Sequence, residues 1–361
     1  MAEARAPATP LRVMVVDDSA VARESIRALL SGQADLRVEV VPDPVLALER
    51  VLRNPPDVLL LDLEMPRMHG LTLLRRVMAR HRVPVVVCAG VTSRSAQAAV
   101  QALREGAVDV IPKDWLHLRH GAAAAEVLLT AVRAAARARP RPVDGPEPQV
   151  RTRIAVPAPA SPRAAYGVDV VAVGASTGGP EALRRILASL PVDAPPLVIV
   201  QHMPGAFTGA FARSLDAACA IAVREARDGD EVLPGTALLA PGDRHLALRR
   251  VGGRLVAGLS AAPPVSRHRP SVDVLFRSAA IACGHRAVGV ILTGMGDDGA
   301  DGLLQMRRAG AATIAQDDAT CVVFGMPGEA VARDAAGAVL PLPAIAAAIL
   351  RHARGHRGTA P

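Results

Sequence analysis

The chain alternates short, continuously apolar runs with longer stretches in which apolar residues recur every three to four positions. LRVMVVDD (11–18) is a run of the first kind and predicts a buried strand ending in two acids, and VARESIRALL (21–30) has helical spacing. VEVVPD (38–43) and LALERVLRN (46–54) repeat the pair, the second closed by Pro-Pro. DVLLLDLEMP (57–66), a helix from Gly70 to Arg80, VPVVVCAG (83–90), SAQAAVQALREG (95–106) and AVDVIPKD (107–114) bring the strands to five. Runs that are apolar at every position are strands buried on both faces, the condition of a parallel sheet covered by helices on each side.

The texture changes after residue 120. Residues 121–140 read as an Ala/Arg helix, and PRPVDGPEPQVRTRIAVPAPASPR (140–163) has too much proline and too few large apolar residues to pack. Strand–helix alternation resumes at VDVVAVGAS (168–176) and runs to about residue 352. The predicted organisation is a disordered tail over 1–10, an α/β domain over 11–120 and a linker over 121–167, helical at its start and then extended. A second α/β domain over 168–352 and a tail over 353–361 follow. Both domains are expected to be doubly wound parallel sheets, the first flavodoxin-like and the second Rossmann-like.

Composition refines this picture in three places. Half the residues are hydrophobic but only 2% are aromatic, so the cores are built from Val, Leu, Ile and Ala. No apolar stretch reaches the roughly 18 residues that span a bilayer, and MAEARAPATP lacks a secretory core; a cytoplasmic protein, not inserted in membrane, is expected. Four scattered cysteines with no C-x-x-C pair read as reduced core residues rather than metal ligands. Of the net charge of +8, residues 119–166 supply eight arginines against Glu126, Asp144 and Glu147, 8 − 3 = +5, so no basic face for nucleic acid is implied. Among 42 basic residues, Lys113 is the single lysine, a compact point charge where the chain otherwise uses arginine.

Ligands of open parallel sheets gather at the carboxyl ends of the strands. Asp17 and Asp18 follow the first strand, Asp62 the third and Lys113 the fifth. Three converging carboxylates and one ammonium suit Mg²⁺ and a phosphoryl group, although each acid alone could simply cap a helix. Residues 11 to about 120 thereby resemble a response-regulator receiver domain. The resemblance implies that Asp62 is the phosphoacceptor and that Lys113 contacts the phosphoryl oxygens. It also implies that Asp17, Asp18, Asp62 and the backbone carbonyl of Glu64 hold Mg²⁺, and that a histidine kinase is the phosphodonor. Three departures stand out: Ala89 where the family has Ser or Thr, Val110 in place of the switch aromatic, and Lys113-Asp114 in place of Lys-Pro.

The second domain opens on VVAVGASTGGPEALRRIL (170–187), in which GASTG matches G-x-S-x-G. A sharp strand-to-helix turn there could present Ser176 as a nucleophile, use it as a helix cap, or bare N–H groups to a phosphate. PPLVIVQHMP places His202 at the end of the next strand, and RAVGVILTGMGDDGADG places Asp297 and Asp298 at the end of a later one. Serine, histidine and aspartate then share one rim, in an order different from that of α/β-hydrolases. GMGDDG also matches G-x-G-x-x-G, so the rival is a nucleotide-binding output domain, although two carboxylates beside a pyrophosphate would repel it.

With GASTGGPEAL, QHMP, APGDRHL, RPSVDVLF, LTGMGDDGADG and QDDATCVVFGMP in order, residues 168–350 resemble the catalytic domain of chemotaxis-type protein-glutamate methylesterases. The resemblance implies Ser176 as nucleophile, His202 as base and Asp298 as its orienting acid, with the N–H groups of Thr177 and Met295 as oxyanion donors. The implied substrates are glutamate methyl esters and glutamines on chemoreceptor cytoplasmic domains, handled without a cofactor for the esterase chemistry. A monomer that binds no nucleic acid is expected. Asp297 stands where relatives often carry Asn, and its added charge is expected to raise the apparent pKa of His202.

Overall fold

The computed structural model describes residues 10–116, 121–139 and 166–355. The chain divides into two compact units, with the division at residues 144 and 145.

In the first unit, the chain runs β1 (Leu11–Val16), α1 (Ala20–Leu30), β2 (Leu36–Val41), α2 (Pro44–Arg53), β3 (Val58–Asp62) and α3 (Gly70–Arg80). It continues through β4 (Val85–Ala89), α4 (Ser93–Arg104), β5 (Asp109–Pro112), a 3-10 turn (Lys113–Leu116) and α5 (Gly121–Arg137). The strands form one sheet in the order β2-β1-β3-β4-β5, parallel throughout. Local chemistry starts the helices where the pattern expects them. Ser19 accepts from Ala22 N at the head of α1, Asp43 accepts from Val45 N and Leu46 N ahead of Pro44, and Thr92 accepts from Ser95 N. β3 and β4 are buried at every position because helices cover both faces.

One expectation needs correction. Residues 121–137 do not begin a linker; they form α5, which packs on β3, β4, β5 and α1. Its Ala124, Leu128, Ala131, Val132 and Ala135 are buried, an apolar stripe at helical spacing whose small side chains let the helix lie close on the sheet. The extended linker and the outermost tails fall largely on residues 1–9, 140–165 and 356–361, outside the described residues.

The second unit runs β6 (Val170–Ala175), α6 (Gly179–Ala188), β7 (Leu197–Gln201), α7 (Gly205–Ala218), β8 (Ala222–Glu225) and β9 (Thr236–Leu239). A hairpin of β10 (His245–Val251) and β11 (Arg254–Ser260) follows, then α8 (Val272–Cys283), β12 (Ala287–Ile291), α9 (Ala300–Arg308), β13 (Ala312–Gln316), α10 (Met326–Ala332), β14 (Ala338–Leu340) and α11 (Leu342–Gly355). Seven parallel strands lie in the order β14-β13-β12-β6-β7-β9-β8, and the hairpin is antiparallel. Strand order reverses between β6 and β12, so a crevice opens at their carboxyl ends. Below it, Val170, Val198, Leu238, Phe276, Ile291 and Leu303 form part of a continuous core on which the rim residues stand.

Candidate functional sites

Ser176 follows β6 at the reversal point. Its N–H donates to the Thr293 carbonyl (3.0 Å), and its own carbonyl accepts from Gly179 N (2.7 Å) and Gln201 Nε2 (2.8 Å). The glycines around it answer to space. Gly178 has φ +76°, and a Cβ there would lie 2.5 Å from Val322 Cβ; a Cβ on Gly294 would lie 2.6 Å from Ser176 Cβ. The cap reading is overturned: the N-cap of α6 is Gly178, with no side-chain bond, so the Ser176 hydroxyl is not spent on the helix.

His202 follows β7, with its N–H on the Ala175 carbonyl (3.0 Å). Its side chain is 8% exposed, and Nε2 lies 2.8 Å from Asp298 Oδ2. Nδ1 is buried with no hydrogen-bond partner, and the Ser176 hydroxyl makes no bond to it. Catalytic contacts of this kind are often open before substrate arrives.

Asp298, after β12, is buried and heavily solvated by protein donors. Besides His202 it accepts from Ser271 Oγ (2.7 Å), Val272 N (2.7 Å) and Asp273 N (3.0 Å). Ser271 is the N-cap of α8 yet makes no side-chain cap bond to its own helix; the carboxylate from another segment fills that place. Burial pushes the Asp298 carboxyl up, but the His202 bond and charge, with the Ser271 and backbone bonds, outweigh it and hold it below the ordinary value. Asp297, its neighbour, lies 3.1 Å from an Arg333 guanidinium nitrogen and 3.9 Å from one of Arg267, so its added charge is matched by cations.

Two further features were not legible in the sequence. The ring of His268 stacks on that of His202, centroids 3.8 Å apart and planes within 5°. Burial, with the nearby His202, pushes His268 down to about 4, so it is neutral at physiological pH. It sits on a turn in which Val265 and His268 exchange backbone bonds of 3.1 and 2.9 Å while Ser266 and Arg267 both have positive φ (50° and 66°). Left-handed backbone at two non-glycine residues costs about 1–3 kcal/mol each. Thr293 is the second feature: its Oγ1 accepts from Val322 N (3.1 Å) and Val323 N (2.9 Å) and donates to the Thr177 carbonyl (3.0 Å), tying the loop after β12 to the serine turn. Thr177 is buried, and the Met295 N–H donates to no group among the described residues.

At the other sheet, the reversal lies between β1 and β3, and Asp17 and Asp62 stand side by side there, both buried. Lys113 Nζ lies 2.8 Å from Asp17 Oδ2 and 2.7 Å from Asp62 Oδ2. Both are close ion pairs, with the ammonium bridging the two carboxylates. Asp18 is exposed, and its carboxylate, with those of Asp17 and Asp62, forms a group whose oxygens lie within 4.8 Å of one another. Burial raises the Asp62 carboxyl above its ordinary value, partly opposed by Lys113. Burial pulls Lys113 down, but Asp17 and Asp62 outweigh it and hold the ammonium above its usual value. Three carboxylates whose oxygens gather this closely are a hard-oxygen set that fits a divalent cation. Glu64 follows β3 with its N–H on Asp62 Oδ1 (3.2 Å). Ala89 lacks a hydroxyl; Ser95 in α4 donates to Glu64 Oε1 (2.6 Å) and lies 2.7 Å from Thr92 Oγ1.

Similarity to known proteins falls on the same two units. The family model described as CheB methylesterase matches residues 171–349, and that described as response regulator receiver domain matches 13–121. The chain is 54% identical to protein-glutamate methylesterase/protein-glutamine glutaminase 5 of Anaeromyxobacter dehalogenans, over 96% of this chain and 98% of that one. It is 50% identical to protein-glutamate methylesterase/protein-glutamine glutaminase 3 of Geobacter metallireducens, over 94% and 98%. The CheB methylesterase catalytic domain of Thermotoga maritima superposes with a TM-score of 0.50 at 40% identity, covering 51% of this chain and 98% of that domain. The match of both units to these family models, and of nearly the whole chain to these relatives, places it in the family of protein-glutamate methylesterase/protein-glutamine glutaminases that carry a response regulator receiver domain.

Proposed function

We propose that the chain hydrolyses glutamate methyl esters, and more slowly glutamine side chains, on chemoreceptor cytoplasmic domains. Ser176 is the nucleophile, His202 the general base and acid, and Asp298 the acid that orients it. The observation that carries this reading is the His202 Nε2···Asp298 Oδ2 contact of 2.8 Å, which leaves Nδ1 as the buried, unpartnered nitrogen on the rim that holds Ser176. A carboxylate on Nε2 fixes the proton there, so Nδ1 carries the lone pair and takes the serine proton. Ser176 Oγ bonds to the γ-carbonyl carbon of the ester, and its proton passes to His202 Nδ1. As the tetrahedral intermediate collapses, that proton goes to the methoxy oxygen and methanol leaves. Water, deprotonated by the same nitrogen, then cleaves the acyl-enzyme to glutamate and restores the serine. A glutamine substrate loses ammonia by the same route, and the poorer leaving group makes it slower. The Thr177 and Met295 N–H groups serve the oxyanion. These steps use side chains and backbone alone, and the esterase needs no cofactor.

The first unit takes a phosphoryl group on Asp62 from a histidine kinase, with Lys113 contacting the phosphoryl oxygens. Asp17, Asp18, Asp62 and the Glu64 carbonyl would hold Mg²⁺, which would offset the negative charge gathering at the acceptor. The chain works as a monomer in the cytoplasm, where it meets receptors at their cytoplasmic ends; among the described residues no helix is long and apolar enough to cross a membrane. The nucleotide-binding alternative is not favoured: Asp298 of the GMGDDG loop is buried and committed to α8 and His202. The test is methanol release from methylated receptor membranes with and without acetyl phosphate. Ser176→Ala should lower turnover at least about 10³-fold at unchanged melting temperature; wild-type turnover in that variant would refute the assignment.

A further inference from the structure

We propose that His268 is a positioning residue for this chemistry: its ring is a flat plate that holds the His202 ring in one plane, so that Nε2 stays on Asp298 and Nδ1 stays available to the serine. The inference rests on the Ser176–His202–Asp298 reading above and adds a fourth side chain to it.

A single hydrogen bond to Asp298 fixes one edge of the His202 ring but lets the ring rock about that contact. A second ring, 3.8 Å away and within 5° of parallel, removes this freedom from one face. His268 is itself held. Its Nδ1 lies 2.7 Å from the Ser266 carbonyl, which can only accept, so the proton sits on Nδ1 and the ring orientation is set. The turn that carries it is anchored in turn by Ser266 Oγ on Asp273 Oδ2 (3.2 Å), and Asp273 accepts from Gly302 N (2.7 Å). Arg269 adds bonds to the carbonyls of Ala261 (3.0 Å) and Ala262 (3.2 Å). Three residues after His268, Ser271 Oγ donates to Asp298. The segment 266–273 therefore grips His202 from two sides, by its face through His268 and by its edge through the carboxylate that Ser271, Val272 and Asp273 secure. Being neutral, His268 adds no positive charge against the imidazolium that forms at His202 during the reaction.

A residue in a strained turn that only shaped the backbone would need the Nδ1–H bond and not the ring face. The two roles separate in two substitutions. His268→Phe keeps a flat ring and loses the bond to Ser266; His268→Gln keeps an N–H donor and loses the plate. We expect kcat for methanol release to fall about 10- to 100-fold in His268→Gln with KM unchanged, and to stay within about threefold of wild type in His268→Phe. A His268→Gln enzyme at wild-type kcat, or a His268→Phe enzyme as impaired as His268→Gln, overturns the role. NMR of the wild-type chain reads the stack without any substitution: the His202 ring protons should be displaced upfield by the facing ring, and unstacked positions overturn the proposal. Ser176→Ala in the same assay separates the two levels. Full turnover there removes the reading of the site itself, whereas an inactive Ser176→Ala beside an unaffected His268→Gln removes only the plate.

Discussion

Asp298 serves two masters at the scale of single residues. Its carboxylate orients His202 and caps α8, accepting four bonds in all. Asp298→Asn keeps the shape but removes the charge and turns one acceptor into a donor. We expect a kcat loss of roughly 10³-fold or more and a lower melting temperature. The pH dependence has a definite sign. The folded carboxyl lies below the ordinary value near 3.9, so the stability it contributes is fully present above that value and is lost as pH falls through the lowered one. The gap in melting temperature between wild type and Asp298→Asn should therefore be largest at neutral pH and narrow below about pH 4; a gap that widens on acidification would contradict it. Ser176 and His202 stand out in the sequence because each directly follows an apolar strand run, and Asp298 because it lies in the glycine-rich loop after another. His268 does not. SRHRPS has no periodicity, and its place over His202 depends on how the β10–β11 hairpin returns the chain to α8.

Elements place these side chains by adjacency. β12, β6 and β7 are consecutive neighbours in the sheet, so the segments that follow them share one rim, and His202 reaches Asp298 although 96 positions separate them. Close approach at this rim depends on Gly294, whose carbonyl also accepts from Gly325 N (3.0 Å) and Met326 N (2.9 Å). A methyl group there meets Ser176 Cβ at 2.6 Å. Gly294→Ala should cost about 1–3 kcal/mol by chemical denaturation and lower kcat together with it, by pushing the serine turn outward. Unchanged turnover at reduced stability would show that the turn yields elsewhere. The strand–helix alternation was readable almost throughout, since strands apolar at every position and helices with caps are local signals. The helix over 121–137 was readable too, but its packing on the first sheet was not, because its stripe is mostly alanine and its arginines resemble linker texture.

For the whole molecule, two sheets of the same grammar carry opposite chemistries at equivalent places. In one, the order-reversal crevice gathers three carboxylates, two of them paired with an ammonium; in the other, an imidazole and a carboxylate pair on the rim that carries Ser176. Acceptance of a phosphoryl group and ester hydrolysis can thus be removed independently. Asp62→Asn should abolish labelling by acetyl phosphate while leaving unstimulated methanol release measurable; labelling at wild-type stoichiometry would remove Asp62 as acceptor.

The solitary lysine has a practical corollary. An ε-amine clamped between two carboxylates and kept protonated is a poor target for amine-directed reagents, and this protein offers no second one. Apart from the chain's amino terminus, acylation would report on one atom, and its rate would track how tightly the acidic crevice is closed around that atom.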